Sequence, residues 1–92
     1  MSKQFTKQQI DDIIRKTFVA ILCLPKGVID TDTLESLGGD SLDAIEIIML
    51  LEEELEIEIT DDEGDKYSSC TVKELVETLF ISTLKSKHIK GN

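Results

Sequence analysis

The chain holds two cysteines and one histidine, and between residues 30 and 65 it has no lysine or arginine at all. Each scarcity excludes something. Cys23 and Cys70 stand far apart in a chain with no export signal, so they are expected to be reduced thiols and not a disulfide. Two cysteines and one histidine also make a poor metal site, and neither zinc nor redox chemistry is expected. The longest apolar run, Phe18 to Leu24, is far short of the ~20 residues that cross a bilayer. Met1 to Gln9 is polar and lacks the profile of a targeting segment. The expectation is a cytoplasmic protein without membrane insertion. A length of 92 residues suits a single domain over residues 1–92, with an ordered core over about 6–84 and a basic, frayed tail over 85–92. Such a domain buries only about two-thirds of the surface its unfolded chain exposes. Its core is thin, so a deep water-free pocket, catalytic residues and an enzymatic function are not expected.

What the chain has in excess is negative charge, and its placement is informative. Asp30 to Asp65 carries 15 of the 19 acidic residues and none of the ten basic ones, so it holds −15 against +6 for the remainder of a chain of net charge −9. A field of this sign repels nucleic acid and anionic membrane and steers basic protein partners toward the middle of the chain. Composition is equally consistent with a solvated face that only confers solubility.

The pattern of apolar residues predicts four helices. Thr6-Lys7-Gln8-Gln9 fits a capping box, with Phe5 and Ile10 placed as a hydrophobic staple. Ile10, Ile13, Ile14, Phe18, Ile21 and Leu22 follow at helical spacing, and the helix should end before Pro25. Residues 25–40 form a long loop broken by Gly27, Gly38 and Gly39. A second helix starts at Asp40 or Ser41 and runs to about Glu56. Thr60-Asp61-Asp62-Glu63 opens a short third helix weakened by Gly64. Thr71-Val72-Lys73-Glu74 opens the last, with Cys70 and Leu75 as staple and Val72, Leu75, Val76, Leu79 and Thr83 facing the core. Ile57 to Ile59 hints at a strand but is too short and has no partner. The expected fold class is all-α, a small four-helix bundle with a long loop between helices 1 and 2 and a short third helix.

The second helix has two apolar faces. With Ser41 at zero and about 100° per residue, Ala44, Ile47, Ile48, Leu51 and Leu55 form one stripe, the expected core side. Leu42, Ile45 and Met49 form another, bordered by Glu46, Glu52, Glu53 and Glu56. An apolar patch rimmed by carboxylates suits docking onto a partner groove ringed with arginine and lysine. Burial under the long loop is the alternative.

At the head of that helix stands Leu37-Gly38-Gly39-Asp40-Ser41-Leu42. By residue type, Asp40 or Ser41 is an N-cap. The first turn of a helix also offers free N–H groups that tolerate a phosphate. Residues 37–59 read LGGDSLDAIEIIMLLEEELEIEI, which resembles without a gap the acyl carrier protein signature LGxDSLDxVELVMxLEEEFxxEI. The resemblance extends less tightly over about residues 6–84 and implies a four-helix bundle with a long first loop.

The resemblance further implies that Ser41 is esterified by 4′-phosphopantetheine from coenzyme A, whose thiol holds acyl groups as thioesters. Asp40 would help a phosphopantetheinyl transferase recognise the serine. Leu42, Ile45 and Met49 would be apolar partner contacts and Glu46, Glu52 and Glu53 electrostatic ones, toward acyl-loading and acyl-processing enzymes with basic surfaces. Ile47, Ile48 and Leu51 would line a pocket for the acyl chain, in a protein expected to be monomeric. The sequence departs from the common pattern at Gly39 (usually Ala), Thr33-Leu34 (usually Phe-Val), Thr60 (often Pro) and Leu50 (a small residue). The stretch Tyr67 to Thr71 is about two residues longer than usual. The Glu-rich helix leans toward fatty acyl or polyketide systems, while Gly38-Gly39 leans toward a stand-alone peptidyl, aryl or D-alanyl carrier.

Other classes fare worse. Gly39-Asp40-Ser41-Leu42 spells the motif of the GDSL esterases, but His88 is the sole candidate base, Lys85 stands where that family has an aspartate, and no strand precedes the serine. An EF-hand loop starting at Asp30 fails at Leu34 and Glu35, and Asp61 to Asp65 fails too. An acidic adaptor, with Ser41 only a cap, accounts for the charge and both apolar stripes but not for their arrangement in the carrier order.

Overall fold

Four helices carry the chain: α1 Lys7–Leu22, α2 Ser41–Leu55, α3 Asp61–Tyr67 and α4 Val72–Ile89. The described residues of the computed structural model are 5–89, apart from the side chains of Asp61, Asp65 and residues 85–89. Among them there is no strand, and a single isolated bridge pairs Thr33 with Thr71. The all-α bundle with a short third helix is the architecture expected from the sequence.

Each helix begins where a side chain satisfies the backbone donors that a helix start leaves open. Thr6 and Gln9 exchange hydrogen bonds of 3.1 and 2.8 Å at the head of α1. Thr60 and Glu63 do the same for α3, and Thr71 and Glu74 for α4. These are the three boxes the sequence predicts. A fourth, unanticipated, heads α2: Asp40 accepts from Asp43 N–H at 2.9 Å, and Asp43 accepts from Asp40 N–H at 3.1 Å. Aspartate is shorter than the usual Glu or Gln at the third position, yet it closes the box.

The first two helices also end alike. Cys23 after α1 and Glu56 after α2 adopt left-handed backbone, at φ 54° and 55°, a conformation that costs a non-glycine residue roughly 1–2 kcal/mol. The cost is offset by bonds that close each end. Leu24 N–H reaches Val19 C=O and Ile57 N–H reaches Glu52 C=O, both at 3.2 Å. The second turn sends Ile57 into the core, where it is buried. That is the physical meaning of the apolar run after α2, which is a helix stop and not a strand.

The core joins Ile10, Ile14 and Phe18 of α1 to Ile47, Leu51 and Leu55 of α2 and to Val72, Leu75, Val76 and Leu79 of α4. Full burial of one such side chain contributes about 1.5–3 kcal/mol, so these ten residues dominate the stability of a thin bundle. Val28 and Leu34 complete it from the long loop. That loop is pinned at both sides: Arg15 on α1 bonds to Asp11, the Val28 carbonyl and Asp30, and its guanidinium is held more firmly charged by the two carboxylates. The first-turn N–H groups of α4 at Val72 and Lys73 bond to the carbonyls of Asp32 (2.8 Å) and Asp30 (3.1 Å). α4 runs to Ile89, beyond the tail boundary at residue 85 expected from the sequence, and residues 90–92 of that tail lie outside the described residues.

Candidate functional site

Asp40, not Ser41, caps α2, and that distinction shapes the site. Because the aspartate supplies the capping oxygen, the Ser41 side chain stays exposed in the first helical turn. The preceding Gly38 turns the chain at φ 84°, a value that suits glycine. Gly39 comes next and packs against Leu34: a Cβ there would meet Leu34 Cδ1, stand 2.7 Å from Leu34 Cγ and lie 3.2 Å from Leu22 Cδ2. The Leu34 carbonyl also belongs to this turn, since it accepts the Gly39 N–H at 2.9 Å. The loop therefore delivers the serine to the surface from a backbone anchored in the core.

Below Ser41 an open groove of about 790 Å3 runs between α2 and α3, with Ser41, Ala44, Ile48, Thr60, Gly64 and Ser68 among its walls. Its floor meets a small apolar cavity of about 10 Å3. Ile47, Ile48 and Leu51, the three residues singled out from the sequence as pocket-lining, all border that cavity. Ile48 borders both spaces and is half-buried. Gly64 lets α3 close onto it, since a Cβ at that position would stand 2.7 Å from Ile48 Cδ1.

The second apolar stripe of α2 is bare. Leu42 is 70 %, Met49 58 % and Ile45 53 % exposed, so the long loop does not cover them. Glu46 and Glu53 are exposed alongside. Glu52 differs: it is half-buried, and its Oε2 accepts the Ile59 N–H at 2.8 Å. It fastens the α2–α3 connection as well as carrying charge.

Several walls of the cavity were not singled out from the sequence, two aromatic ones among them. Phe18 and Tyr67 border the cavity, and the Tyr67 hydroxyl is buried without a hydrogen-bond partner among the described residues. Burial, and secondarily the Glu63 charge, pushes the phenol up to about 12. Its signal in the sequence was that a lone tyrosine closes an otherwise polar helix. Cys70 is half-buried, and burial followed by Glu74 raises its thiol above the ordinary range. Among the described residues no helix is long and apolar enough to cross a membrane, and no three metal-ligating side chains converge.

A small helical bundle that lifts one serine onto an exposed helix start, beside an apolar patch ringed with carboxylates, has the build of a carrier that presents a group to other proteins. Residues 12–79 match the family model described as the phosphopantetheine attachment site. An acyl carrier protein of Buchnera aphidicola subsp. Acyrthosiphon pisum is 43 % identical over 56 residues, covering 61 % of this chain and 68 % of that protein. A mitochondrial acyl carrier protein of Dictyostelium discoideum is 51 % identical over 45 residues, covering 49 % of this chain and 38 % of that one. The chain belongs to the acyl carrier protein family, whose cofactor is phosphopantetheine.

Proposed function

We propose that Ser41 Oγ is the attachment atom for 4′-phosphopantetheine and that the chain carries acyl intermediates for fatty-acid or related, polyketide-like synthesis. One observation carries the attachment reading: Asp40 makes the cap, so the Ser41 hydroxyl stands exposed in the first turn at the rim of the groove. When attached, the group supplies the thiol that holds an acyl chain as a thioester. The protein's own residues position it. N–H groups of the first turn of α2 and the positive end of its dipole accommodate a phosphodiester, an effect of about 0.3–1 kcal/mol. That is too little to form the bond, so a phosphopantetheinyl transferase must do so, with Asp40 among its contacts.

Partner enzymes dock on the bare stripe. Leu42, Ile45 and Met49 supply the apolar contact, and Glu46 and Glu53 the charge that basic surfaces read, with Glu52 adding its charge from its place on Ile59. The acyl chain enters between α2 and α3, where Ile47, Ile48 and Leu51 line its path. The domain acts as a monomer in the cytoplasm and catalyses nothing itself. A peptidyl, aryl or D-alanyl carrier is the second reading, favoured by Gly38-Gly39. Its weight is reduced here, because Gly39 has a packing reason of its own in Leu34.

The test is the intact mass before and after incubation with coenzyme A and a broad-specificity phosphopantetheinyl transferase. We expect a gain of one phosphopantetheine in the wild type and none in Ser41→Ala. No gain in a folded wild-type sample would favour the acidic adaptor.

A further inference from the structure

The Tyr67 hydroxyl is out of place for an all-apolar acyl pocket. Tyr67 is 8 % exposed, its oxygen is shut off from solvent, and it has no hydrogen-bond partner among the described residues. A buried donor left unpaired is costly, and a native structure that keeps one invites an explanation. The cavity it borders is walled chiefly by Phe18, Ile47, Ile48, Leu51 and Leu75, and although Ser68 also lines it and the Glu63 charge is felt at the phenol, neither bonds to the Tyr67 hydroxyl. An alkyl chain entering that space would gain nothing from a phenol that a phenylalanine would not give. A chain bearing oxygen would.

We infer that Tyr67 is a specificity-determining residue, donating its phenolic hydrogen to a hydroxyl or carbonyl oxygen on the body of the carried acyl chain, so that the protein shelters oxygen-substituted chains in preference to plain alkyl ones. The inference rests on the carrier reading of Ser41. The path is present in outline. The groove at Ser41 and the cavity at Tyr67 share Ala44, Ile48 and Gly64 as walls, and Ile48 stands between them. A space of about 10 Å3 is room for no more than one water, so the chain must displace Ile48 to reach the phenol. Ile48 is half-buried and faces the open groove, which leaves it somewhere to go. The raised phenol pKa is consistent with this role, since the group stays a neutral donor throughout the physiological range.

The test loads the full chain enzymatically from acyl-coenzyme A with octanoyl or with hydroxyoctanoyl groups bearing the hydroxyl at different carbons. Loading is verified by intact mass, and thermal midpoints are compared for the wild type and Tyr67→Phe. We expect at least one hydroxyoctanoyl form to melt several degrees above the octanoyl form in the wild type, and that gap to close in Tyr67→Phe. Loaded wild-type samples that melt alike, or a gap that survives in Tyr67→Phe, would overturn the inference and leave the carrier reading standing. A failure to gain mass at all would overturn the reading of Ser41 and this inference with it. Tyr67→Phe removes a single oxygen and keeps the packing, so folding of the variant is not in question.

Discussion

Leu34 occupies the volume that a side chain on Gly39 would need, with its Cγ 2.7 Å from the position a Cβ would take. Two of the departures from the usual carrier pattern, a larger residue at Leu34 and a smaller one at Gly39, are thus a single packing solution. Gly39→Ala is expected to destabilise the domain by about 1–3 kcal/mol through overpacking. Leu34→Ala opens that space, so the double variant should recover part of what Gly39→Ala alone loses beyond the cost of the cavity. Additive losses in a double-mutant cycle by urea denaturation would show that the two side chains do not compete.

The cap at α2 separates two roles of Asp40. Asp40→Ala removes the acceptor for Asp43 N–H and should cost about 1 kcal/mol. Asp40→Asn retains an acceptor and should keep stability close to wild type. If Asp40 is also read by the transferase, Asp40→Asn will load more slowly at equal stability. Loading rate from mass spectrometry, set beside the thermal midpoint, tells the two roles apart.

Charge reversal on the bare stripe should weaken docking without touching the core. Glu46→Lys and Glu53→Lys lie on exposed positions, so stability should change by less than about 0.5 kcal/mol. Partner-dependent loading should slow, most at low ionic strength, where surface charge is least screened. Glu52→Ala is expected to behave differently and lower stability as well, because it removes the oxygen that accepts the Ile59 N–H. Rates unaffected at low salt would remove the stripe from the docking surface.

Tyr67 predicts an alkaline limit to stability. Its phenol titrates near 10.0 in the unfolded chain and at about 12 in the folded one. Between those values the unfolded state has lost a proton that the native state keeps, so stability falls as pH rises through the window and is unaffected by this group below it. Denaturation midpoints from pH 8 to 11.5 should show a drop near the upper end that Tyr67→Phe reduces. The same variant removes an unpaired buried hydroxyl and should stabilise the unloaded domain at pH 7 by about 1 kcal/mol.

The two thiols should differ in reactivity. Cys23 is exposed at the end of α1, whereas Cys70 is half-buried with its thiol raised by burial and by Glu74. Since the thiolate is the reactive form, brief maleimide treatment at pH 7 is expected to label Cys23 first. Peptide mapping reads the ratio, and equal labelling would mean that Cys70 is more open than its surroundings imply.

Much of this protein was legible before any fold was considered. The three boxes at Thr6, Thr60 and Thr71 depend on residues three apart, so local spacing is enough to find them. The apolar periodicity of α1, α2 and α4 likewise names its own core face, and Asp40-Ser41 at the head of a Glu-rich helix marks the site. The Asp40–Asp43 box was just as local and was missed, because aspartate is not the usual partner. What the sequence could not decide was whether the second stripe of α2, that of Leu42, Ile45 and Met49, is covered as well. That depends on where the long loop goes, and the loop is placed by Arg15 and by the carbonyls that Asp30 and Asp32 offer to α4. Nor could it show why Gly39 accompanies Leu34, or that the sole tyrosine ends in an apolar cavity with its hydroxyl unpaired. Those facts arise from contacts between segments distant in the chain. The periods of a helix say which side is apolar, and only the packing of one element against another says what that side meets.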